Sequence, residues 1–223
     1  MTNPKGPRSK VLKEGFFISF EGIEGTGKST QAKLLYEYLR GKGFDVVLTG
    51  EPGGTTIGLK IREMLLSIEN KKISPVTELL LYNASRAQHI KEVILPAINR
   101  GHIVVTDRFS DSTVAYQGYG RGIDLNLIDP LDRIATKGLR PGITILLDLD
   151  VEVGLKRNRG INKTDRLELE DIEFHKKVRK GYLEIATKEP GRIKLIDAST
   201  GIEEIHRKVV EIVEDFIKNI SLG

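Results

Sequence analysis

Gly22-Ile23-Glu24-Gly25-Thr26-Gly27-Lys28-Ser29 reads G-x-x-x-x-G-K-S and stands between an apolar run at 16–20 and an amphipathic run at 30–40. The first run is typical of a buried strand, and the second predicts a helix with one apolar face. A strand, a loop of this composition and a helix form a P-loop, whose backbone N–H groups curl around a polyphosphate. We therefore expect Lys28 to reach the outer phosphates and the Ser29 hydroxyl to hold Mg²⁺.

The composition of the 223-residue chain is typical of one globular domain. No cysteine is present, which excludes disulfides, thiolate nucleophiles and cysteine-ligated metals. We expect a flexible basic leader at 1–14, a single domain at 15–223, and a cytoplasmic protein with no membrane partner, because no run approaches membrane-spanning length. The formal net charge of +4 suits nucleic acid, phosphorylated ligands or ordinary solubility.

Strand and helix patterns alternate along the rest of the chain. Further strands are predicted at 45–49, 102–106, 143–147 and 193–196. Predicted helices include a long one from Pro75 with a kink or stop near Pro96, one at 124–136 interrupted or started by Pro130, and a charged one from about 168 to 188. This alternation predicts an α/β fold with a five-stranded, mostly parallel sheet and helices on both faces.

Polar clusters follow the first three predicted strands. The P-loop follows the first, Glu51-Pro52-Gly53-Gly54-Thr55 the second, and Asp107-Arg108 the third. Because the carboxyl ends of parallel strands meet at one edge of a sheet, we expect these clusters to surround a single cleft.

These clusters, together with Ser112-Thr113-Val114-Ala115-Tyr116-Gln117-Gly118, resemble the motifs of the thymidylate kinases in the family's order. The resemblance runs from about Phe16 to the C-terminus. It implies a P-loop nucleoside monophosphate kinase fold that phosphorylates dTMP to dTDP with Mg²⁺ and ATP and so supplies dTTP. It also implies a homodimer with no nucleic-acid partner. The residues expected to bind ATP are Gly22, Ile23, Glu24, Gly25, Thr26, Gly27, Lys28, Ser29 and Thr30.

The resemblance further implies how the acceptor nucleotide is held. Arg108 is similar to the ligand of the acceptor phosphate, a role that suits a bidentate guanidinium. Glu24 would bind the 3′-hydroxyl and contact Mg²⁺ through water, and Glu51 would contribute to substrate binding. Asp107 is either an organiser of Mg²⁺ and Arg108 or a helix N-cap. Tyr116 resembles the residue that crowds the 2′ position of the sugar.

The base-binding residues implied by the resemblance lie on two segments. Tyr82 and Arg86 are four positions apart, so they share one face of a helix. Tyr82 would stack on the base, and Arg86 would donate to a carbonyl oxygen of the base. Thr113 and Gln117 are expected as polar partners of the base and its surroundings.

The segment 156–167 lacks an apolar period and is rich in arginine, which is typical of a mobile lid over a phosphate site. Arg157, Arg159 and Arg166 lie in it, whereas Ile23 to Thr26 of the P-loop contains no basic residue. This distribution resembles the bacterial type, and it makes these arginines catalytic candidates together with Lys28, Arg108 and Asp107. That type commonly has arginine before the Glu-Pro-Gly-Gly run, where this chain has Gly50.

Three alternative functions are each compatible with part of this pattern. Asn162-Lys163-Thr164-Asp165 matches the N-K-x-D pattern of GTPases, but it lies in a polar loop instead of following a buried strand. A nucleic-acid-binding module would leave the P-loop and the aligned strand ends without a role. A P-loop nucleoside monophosphate kinase with another base preference stays open, and the acceptor that stimulates ADP formation would distinguish it.

Overall fold

The core of the fold is a five-stranded sheet, in a computed structural model that describes residues 12, 14–159 and 165–221. The strands are β1 (Phe16–Glu21), β2 (Val46–Gly50), β3 (Ile103–Asp107), β4 (Ile143–Asp148) and β5 (Ile193–Asp197). Their order is β2-β3-β1-β4-β5, and all pairings between them are parallel. The predicted α/β class and strand count are confirmed, and the sheet is entirely parallel.

Helices connect the strands. They are α1 (Lys28–Gly41), α2 (Thr56–Leu66), α3 (Pro75–His89), α4 (Leu95–Ile98), α5 (Ser110–Thr113), α6 (Leu125–Thr136), α7 (Val151–Arg159), α8 (Ile172–Lys188) and α9 (Ile202–Ser221). A short 3₁₀ turn covers Ile68–Asn70, and π-helical turns at Ile90–Ile94 and Val114–Gly120 continue α3 and α5.

The two faces of β1 bury different parts of the core, because successive side chains of a strand point to opposite sides. Ile18 and Phe20 pack with Leu35 of α1 and Val209 of α9. Phe17 packs on the other face, in a cluster with the turn that follows α3. Both faces of the central strand are therefore buried, as expected for a parallel sheet, although Ser19 and Glu21 on the face of Phe17 are polar.

The sheet register brings the polar clusters together. The strand order reverses at β1, which lies between β3 and β4. Phe20 of β1 and Gly50 of β2 are both paired with Asp107 of β3. The P-loop, Asp107 and the segment from Glu51 thus leave the sheet side by side at the position where open α/β sheets bind ligands.

Two helix boundaries differ from the sequence prediction, and one agrees with it. The helix that begins at Pro75 continues through the π-helical turn at Ile90–Ile94 and ends at Ile98, so the predicted stop near Pro96 is confirmed. Pro130 lies inside α6, which begins at Leu125 after the Asp124 cap. The helix predicted from about 168 begins at Ile172, because the Asp171 carboxylate accepts from Phe174 N (2.7 Å) and caps it there.

The predicted lid is partly helical, which corrects the expectation of a loop from 156. Residues 156–159 belong to α7, whose Val151 is buried and whose Leu155 packs against the same apolar cluster as Ile23. Asp150 caps the helix by accepting from Glu152 N (3.0 Å). The apolar residues Val151 and Leu155 precede the arginine-rich stretch. The composition of that stretch alone therefore gave no indication that its first residues form the end of a helix.

Some predictions fall outside the part of the chain that the structure describes. They are most of the basic leader at 1–14, the central part of the lid at 160–164 with most of the N-K-x-D match, and the side chain of Arg159. Among the described helices, none is long and apolar enough to cross a membrane. The cytoplasmic location stays a prediction.

Candidate active site

The P-loop backbone is shaped by glycines with positive φ. Gly22, Gly25 and Gly27 have φ values of 140°, 74° and 89°. A Cβ on Gly25 would lie 2.0 Å from the carbonyl oxygen of Gly154 in α7, so the loop and that helix can approach only without a side chain there. Gly27 precedes α1 without a side-chain cap, which leaves the first N–H groups of α1 available to an anion.

Lys28 lies inside the loop, where its Nζ donates to the carbonyl oxygen of Ile23 (2.7 Å). Burial, and secondarily the nearby Arg108 guanidinium, lower the pKa of Lys28 to about 8. Phosphate oxygens are stronger partners for an ammonium group than one carbonyl oxygen. The predicted position of Lys28 beside a polyphosphate is therefore compatible with this arrangement.

Ser29 and Asp107, predicted as Mg²⁺ ligands, lie together at the ends of α1 and β3. The Ser29 hydroxyl donates to Asp107 Oδ2, while Asp107 Oδ1 is buried with no hydrogen-bond partner among the described residues. The helix-cap alternative for Asp107 is wrong, because α5 begins at Ser110 without a side-chain cap. A hydroxyl and one carboxylate fit Mg²⁺, which completes its shell with water and substrate phosphates. Over the described ranges, no group of three His, Cys, Asp or Glu side chains is placed to hold a metal alone.

Arg108 sits at the junction between the P-loop and the neighbouring pocket. Its φ of 72° is unusual for a residue with a side chain, and its N–H donates to Phe20 O (2.9 Å). Its guanidinium donates to Gly22 O (3.2 Å) and to Glu24 Oε1 (3.0 Å), and it lies 5.0 Å from the ring centre of Tyr116. The cation is thus fixed against the P-loop itself.

A buried carboxylate that the sequence analysis missed lies under Arg108. Glu21 accepts from Phe109 N (2.7 Å), from the Ser112 hydroxyl (2.6 Å) and from the Tyr182 hydroxyl (3.0 Å). Burial, and secondarily Asp111, raise its pKa to about 7. Glu21 thereby holds the backbone directly after the strained Arg108. The feature of the sequence that could have identified Glu21 is an acidic residue at the end of an apolar strand.

Glu24 turns from the P-loop towards the pocket. Its Oε1 accepts from the Tyr116 hydroxyl (2.6 Å) and from Arg108, and its Oε2 lies 3.5 Å from His175 Nδ1. Burial opposes ionisation, but His175, Arg108, Lys28 and Tyr116 together hold the pKa of Glu24 well below its usual value. Glu24 is therefore a carboxylate, and its partners belong to the pocket, not to the Ser29–Asp107 pair.

Every residue predicted to bind the substrate, except Arg86, lines one pocket. Its lining consists of Glu24, Glu51, Pro52, Arg62, Leu66, Tyr82, Arg108, Ser112, Thr113, Tyr116, Gln117, Asp165 and Leu167. Arg62, which donates to Pro52 O (3.0 Å), is a cation that the sequence analysis missed. An arginine on a helix with exposed neighbours carries no signal that distinguishes a site residue from a solvated one.

Arg86 lies behind the pocket wall, which differs from the predicted direct exposure to a base. It is 1% exposed and donates to Glu51 (2.8 Å), Thr113 (2.9 Å), Asp132 (2.9 Å) and Phe109 O (3.1 Å). These bonds use four of the five N–H groups of the guanidinium. Arg86 is held by the carboxylates of Glu51 and Asp132, and its hydrogen bond to a base stays a prediction.

The lid arginines are placed apart. Arg157 donates to the carbonyl oxygen of Ala198 (3.0 Å) after β5. Arg166 is buried and donates to Leu65 O (3.0 Å) and to the Glu78 carboxylate. Arg157 and Arg166, which were both predicted to lie in a lid over the phosphate site, therefore have partners in different parts of the fold, and Arg166 lies beside Glu78.

Comparison with known proteins identifies the relatives of this chain. The thymidylate kinase family model matches residues 20–209. A thymidylate kinase of Pelobacter propionicus is 51% identical over 214 residues, which cover 93% of this chain and 98% of the relative. One from Caldanaerobacter subterraneus subsp. tengcongensis is 52% identical over 208 residues, which cover 93% and 99%. The crystal structure of thymidylate kinase from Ehrlichia chaffeensis has a TM-score of 0.74 and 37% identity, covering 90% of this chain and 99% of that one.

The lowered pKa of Lys28 predicts that ATP binding takes up protons in mildly alkaline solution. With a pKa of about 8, a growing fraction of Lys28 is neutral above pH 8 in the free protein, and bound phosphates favour the charged form. We expect an uptake of about half a proton per ATP at pH 8, rising towards one at pH 9. Calorimetric titration in two buffers of different ionisation enthalpy measures it. The Lys28→Arg variant, which stays charged, should show no uptake, and equal enthalpies in both buffers for the wild type would contradict the prediction.

Proposed function

The chain belongs to the thymidylate kinase family and phosphorylates dTMP to dTDP with ATP, and we propose that the P-loop and the adjoining pocket hold these two substrates. The product supplies dTTP for DNA synthesis. The observation that carries the placement is Glu24, a P-loop residue whose side chain lines the pocket. Donor and acceptor sites that share a loop place two phosphate groups next to each other.

On the donor side, the backbone of residues 22–30 and Lys28 would bind the ATP phosphates. Three features support this: the glycines with positive φ, the uncapped start of α1, and the ammonium group inside the loop. Removal of Lys28 from the carbonyl oxygen of Ile23 costs one hydrogen bond and gains charge-assisted ones. Its positive charge is available where negative charge moves between donor and acceptor.

On the acceptor side, Arg108 would bind the dTMP phosphate. The acceptor phosphate is already largely ionised at neutral pH, so the transfer needs positioning and charge neutralisation more than proton removal. Arg108 satisfies both needs because its backbone is fixed by Phe20 and by Glu21 through Phe109, while its guanidinium reaches the pocket. Asp107 and Arg108 leave β3 consecutively, which sets the cation beside the predicted Mg²⁺ ligand.

The nucleoside would occupy the rest of the pocket. Tyr82 would stack on the base, Glu24 would accept from the 3′-hydroxyl, and Tyr116 would occupy the space that a 2′-hydroxyl needs. Tyr116 is supported by its hydroxyl bond to Glu24, which fixes its ring against the wall. Thr113 accepts from Arg86, which leaves its hydroxyl proton free to donate to a base oxygen. Gln117 would contact the base with its amide.

The lid arginines are proposed to act after both substrates are bound. Arg157 is held by one neutral carbonyl oxygen, a partner that a phosphate can replace. Arg159 continues the same helix, α7, which packs against the P-loop through Gly154. Arg166 has a carboxylate partner and is proposed to contribute through the pocket wall next to Glu78.

The assignment is tested by an ATP-coupled assay with dTMP, dUMP, UMP, dCMP and dGMP as acceptors. We expect ADP formation to be stimulated most by dTMP and least by dGMP, because the contacts proposed for Tyr82, Thr113, Tyr116 and Gln117 are those of a pyrimidine deoxynucleotide. The measurement is kcat/KM for each acceptor at saturating ATP. Preference for another base would replace the assignment, and ADP formation without any acceptor would indicate a nucleotide hydrolase.

Mg²⁺ is proposed at the Ser29–Asp107 pair, where a buried carboxylate oxygen of Asp107 has no partner among the described residues. When bound, the ion would neutralise phosphate charge during transfer. Glu24 would contact the Mg²⁺ ion only through a water molecule. The protein itself contributes the hydrogen bond between the Ser29 hydroxyl and the Asp107 carboxylate, which holds both ligands together.

Asp107→Asn should raise the Mg²⁺ concentration needed for half-maximal activity by about tenfold, because a neutral amide is a weaker ligand for a hard cation. The measurement is the initial rate at fixed ATP and dTMP over a Mg²⁺ series. Asp45→Asn, which precedes β2 at the opposite end of the sheet, is the matched control. An unchanged Mg²⁺ dependence of Asp107→Asn would remove Asp107 from the metal site.

A homodimer is proposed through the outer face of α2, α3 and α6. Exposed apolar side chains recur on this face: Ile57 and Met64 on α2, Val76 and Leu80 on α3, and Leu127 and Ile134 on α6. α3 packs against both α2 and α6, so the three helices form one continuous surface. An apolar surface of this extent favours association with a second copy.

Leu80→Asp should weaken dimerisation by at least roughly tenfold, because it places a charge in the centre of the proposed interface. Leu80 is 49% exposed, so the fold of the monomer should tolerate the change. Sedimentation velocity over a concentration series measures the dissociation constant. Ile202→Asp, at a side chain 57% exposed at the start of α9, is the control. A monomeric wild type, or a dimer unaffected by Leu80→Asp, would contradict the proposal.

A further inference from the structure

The amide of Gln117 has its two ends in different surroundings. Its Nε2 donates to Glu78 Oε1 (2.8 Å), whereas no donor among the described residues bonds to its Oε1. The side chain is 1% exposed and belongs to the lining of the substrate pocket. Its oxygen end is therefore the end left for a ligand.

The orientation of this amide follows from chemistry and not only from atom positions. Glu78 is buried and also accepts from Arg121 Nε and Nη2 (3.1 Å each) and from Arg166 Nη2. Burial opposes its ionisation, but the hydrogen bonds from Arg121 and Gln117 lower its pKa. An ionised carboxylate only accepts hydrogen bonds, so the neighbouring amide must turn its NH₂ group towards Glu78.

The amide oxygen that results is an acceptor, and the pyrimidine bases differ in what they offer it. The thymine of a nucleotide has a single N–H donor, at N3, between two carbonyl oxygens. Cytosine has an unprotonated N3 at the same position, which would meet the amide oxygen acceptor to acceptor. A buried mismatch of this kind discriminates strongly, because neither group recovers the hydrogen bonds it had in water.

We propose that Glu78 is a positioning residue for base specificity, which locks Gln117 with its acceptor towards N3–H of the base. The inference rests on the proposed binding of the base in this pocket. Glu78 does not touch the substrate, and it acts through the amide of Gln117. The Glu78 carboxylate also accepts from Arg166 at the end of the lid. One buried group therefore fixes both Gln117, which is proposed to contact the base, and Arg166.

A purely structural role for Glu78 makes a different prediction. If Glu78 served only to neutralise Arg121 and Arg166, its loss would lower activity on every acceptor in the same proportion. If it orients Gln117, its loss frees the amide to rotate and to offer NH₂ to the base. Activity on dCMP should then recover relative to dTMP, while dUMP, which carries the same N3–H as dTMP, should change in parallel with dTMP.

The test measures kcat/KM of the 223-residue chain for dTMP, dUMP and dCMP in the Glu78→Gln variant. The dTMP-to-dCMP ratio should fall by at least about tenfold, and the dTMP-to-dUMP ratio should not change. Because Glu78→Gln leaves an unbalanced guanidinium, the double variant Glu78→Gln with Arg121→Gln keeps the net charge of the cluster and should show the same fall. Arg121→Gln alone keeps the carboxylate facing Gln117 and should retain the wild-type ratio.

Gln117→Met separates this inference from the proposed base contact on which it rests. If Gln117→Met narrows the dTMP-to-dCMP ratio and the Glu78 variants do not, Gln117 binds the base and Glu78 does not orient it. If Gln117→Met keeps the full ratio, the amide is not the base reader, and both the contact and the inference are overturned. Narrowing in Gln117→Met and in the Glu78 variants, with Arg121→Gln unchanged, supports the proposal.

Discussion

Burial of positive charge at the carboxyl edge of the sheet requires a carboxylate beside nearly every cation. Removing an ion from water costs several kcal/mol unless it is paired and hydrogen-bonded. Here Arg86 is paired with Glu51, Arg108 with Glu24, and Arg166 with Glu78. Each pair joins segments distant in the chain, so the charges that the reaction needs also determine how the loops around the pocket are arranged.

The pairs differ in how readily the guanidinium group can exchange its present hydrogen bonds for bonds to a ligand. Arg86 is surrounded by four acceptors, and it does not belong to the lining of the pocket. Arg108 has one carboxylate partner, and its bonds to Gly22 O, Ser112 and Tyr182 are long, at 3.2 to 3.3 Å. An arriving phosphate can exchange these weak neutral contacts for charge-assisted ones. Arg86 therefore holds the segments of Glu51, Phe109, Thr113 and Asp132 together, and the weaker contacts of Arg108 support its proposed role as the phosphate ligand.

The sequence was sufficient for the sheet and the P-loop because those signals are local. An apolar run of five residues followed by a glycine-rich loop predicts a buried strand and a phosphate-binding loop at its carboxyl end. The partner of Arg166 was not predictable, because Glu78 lies 88 positions away and an arginine beside a predicted lid gives no indication of a buried carboxylate. The end of α7 was missed for a related reason. Its apolar residues precede the arginine-rich stretch, and packing against Ile23 outweighs the polar composition of its last turn.

Transfer of a phosphoryl group requires the reacting atoms to approach within about 3 to 3.5 Å, so the two binding sites must not drift apart. In the proposed placement of the substrates, the P-loop contributes to both sites. Lys28 and Ser29 would face the donor, while Glu24 of the same loop lines the pocket proposed for the acceptor. Arg108 closes the arrangement by donating to Gly22 O and Glu24 together, which ties the acceptor cation to the start of the donor loop. In this placement the distance between the sites is set by the P-loop and by the hydrogen bonds that Arg108 makes to it.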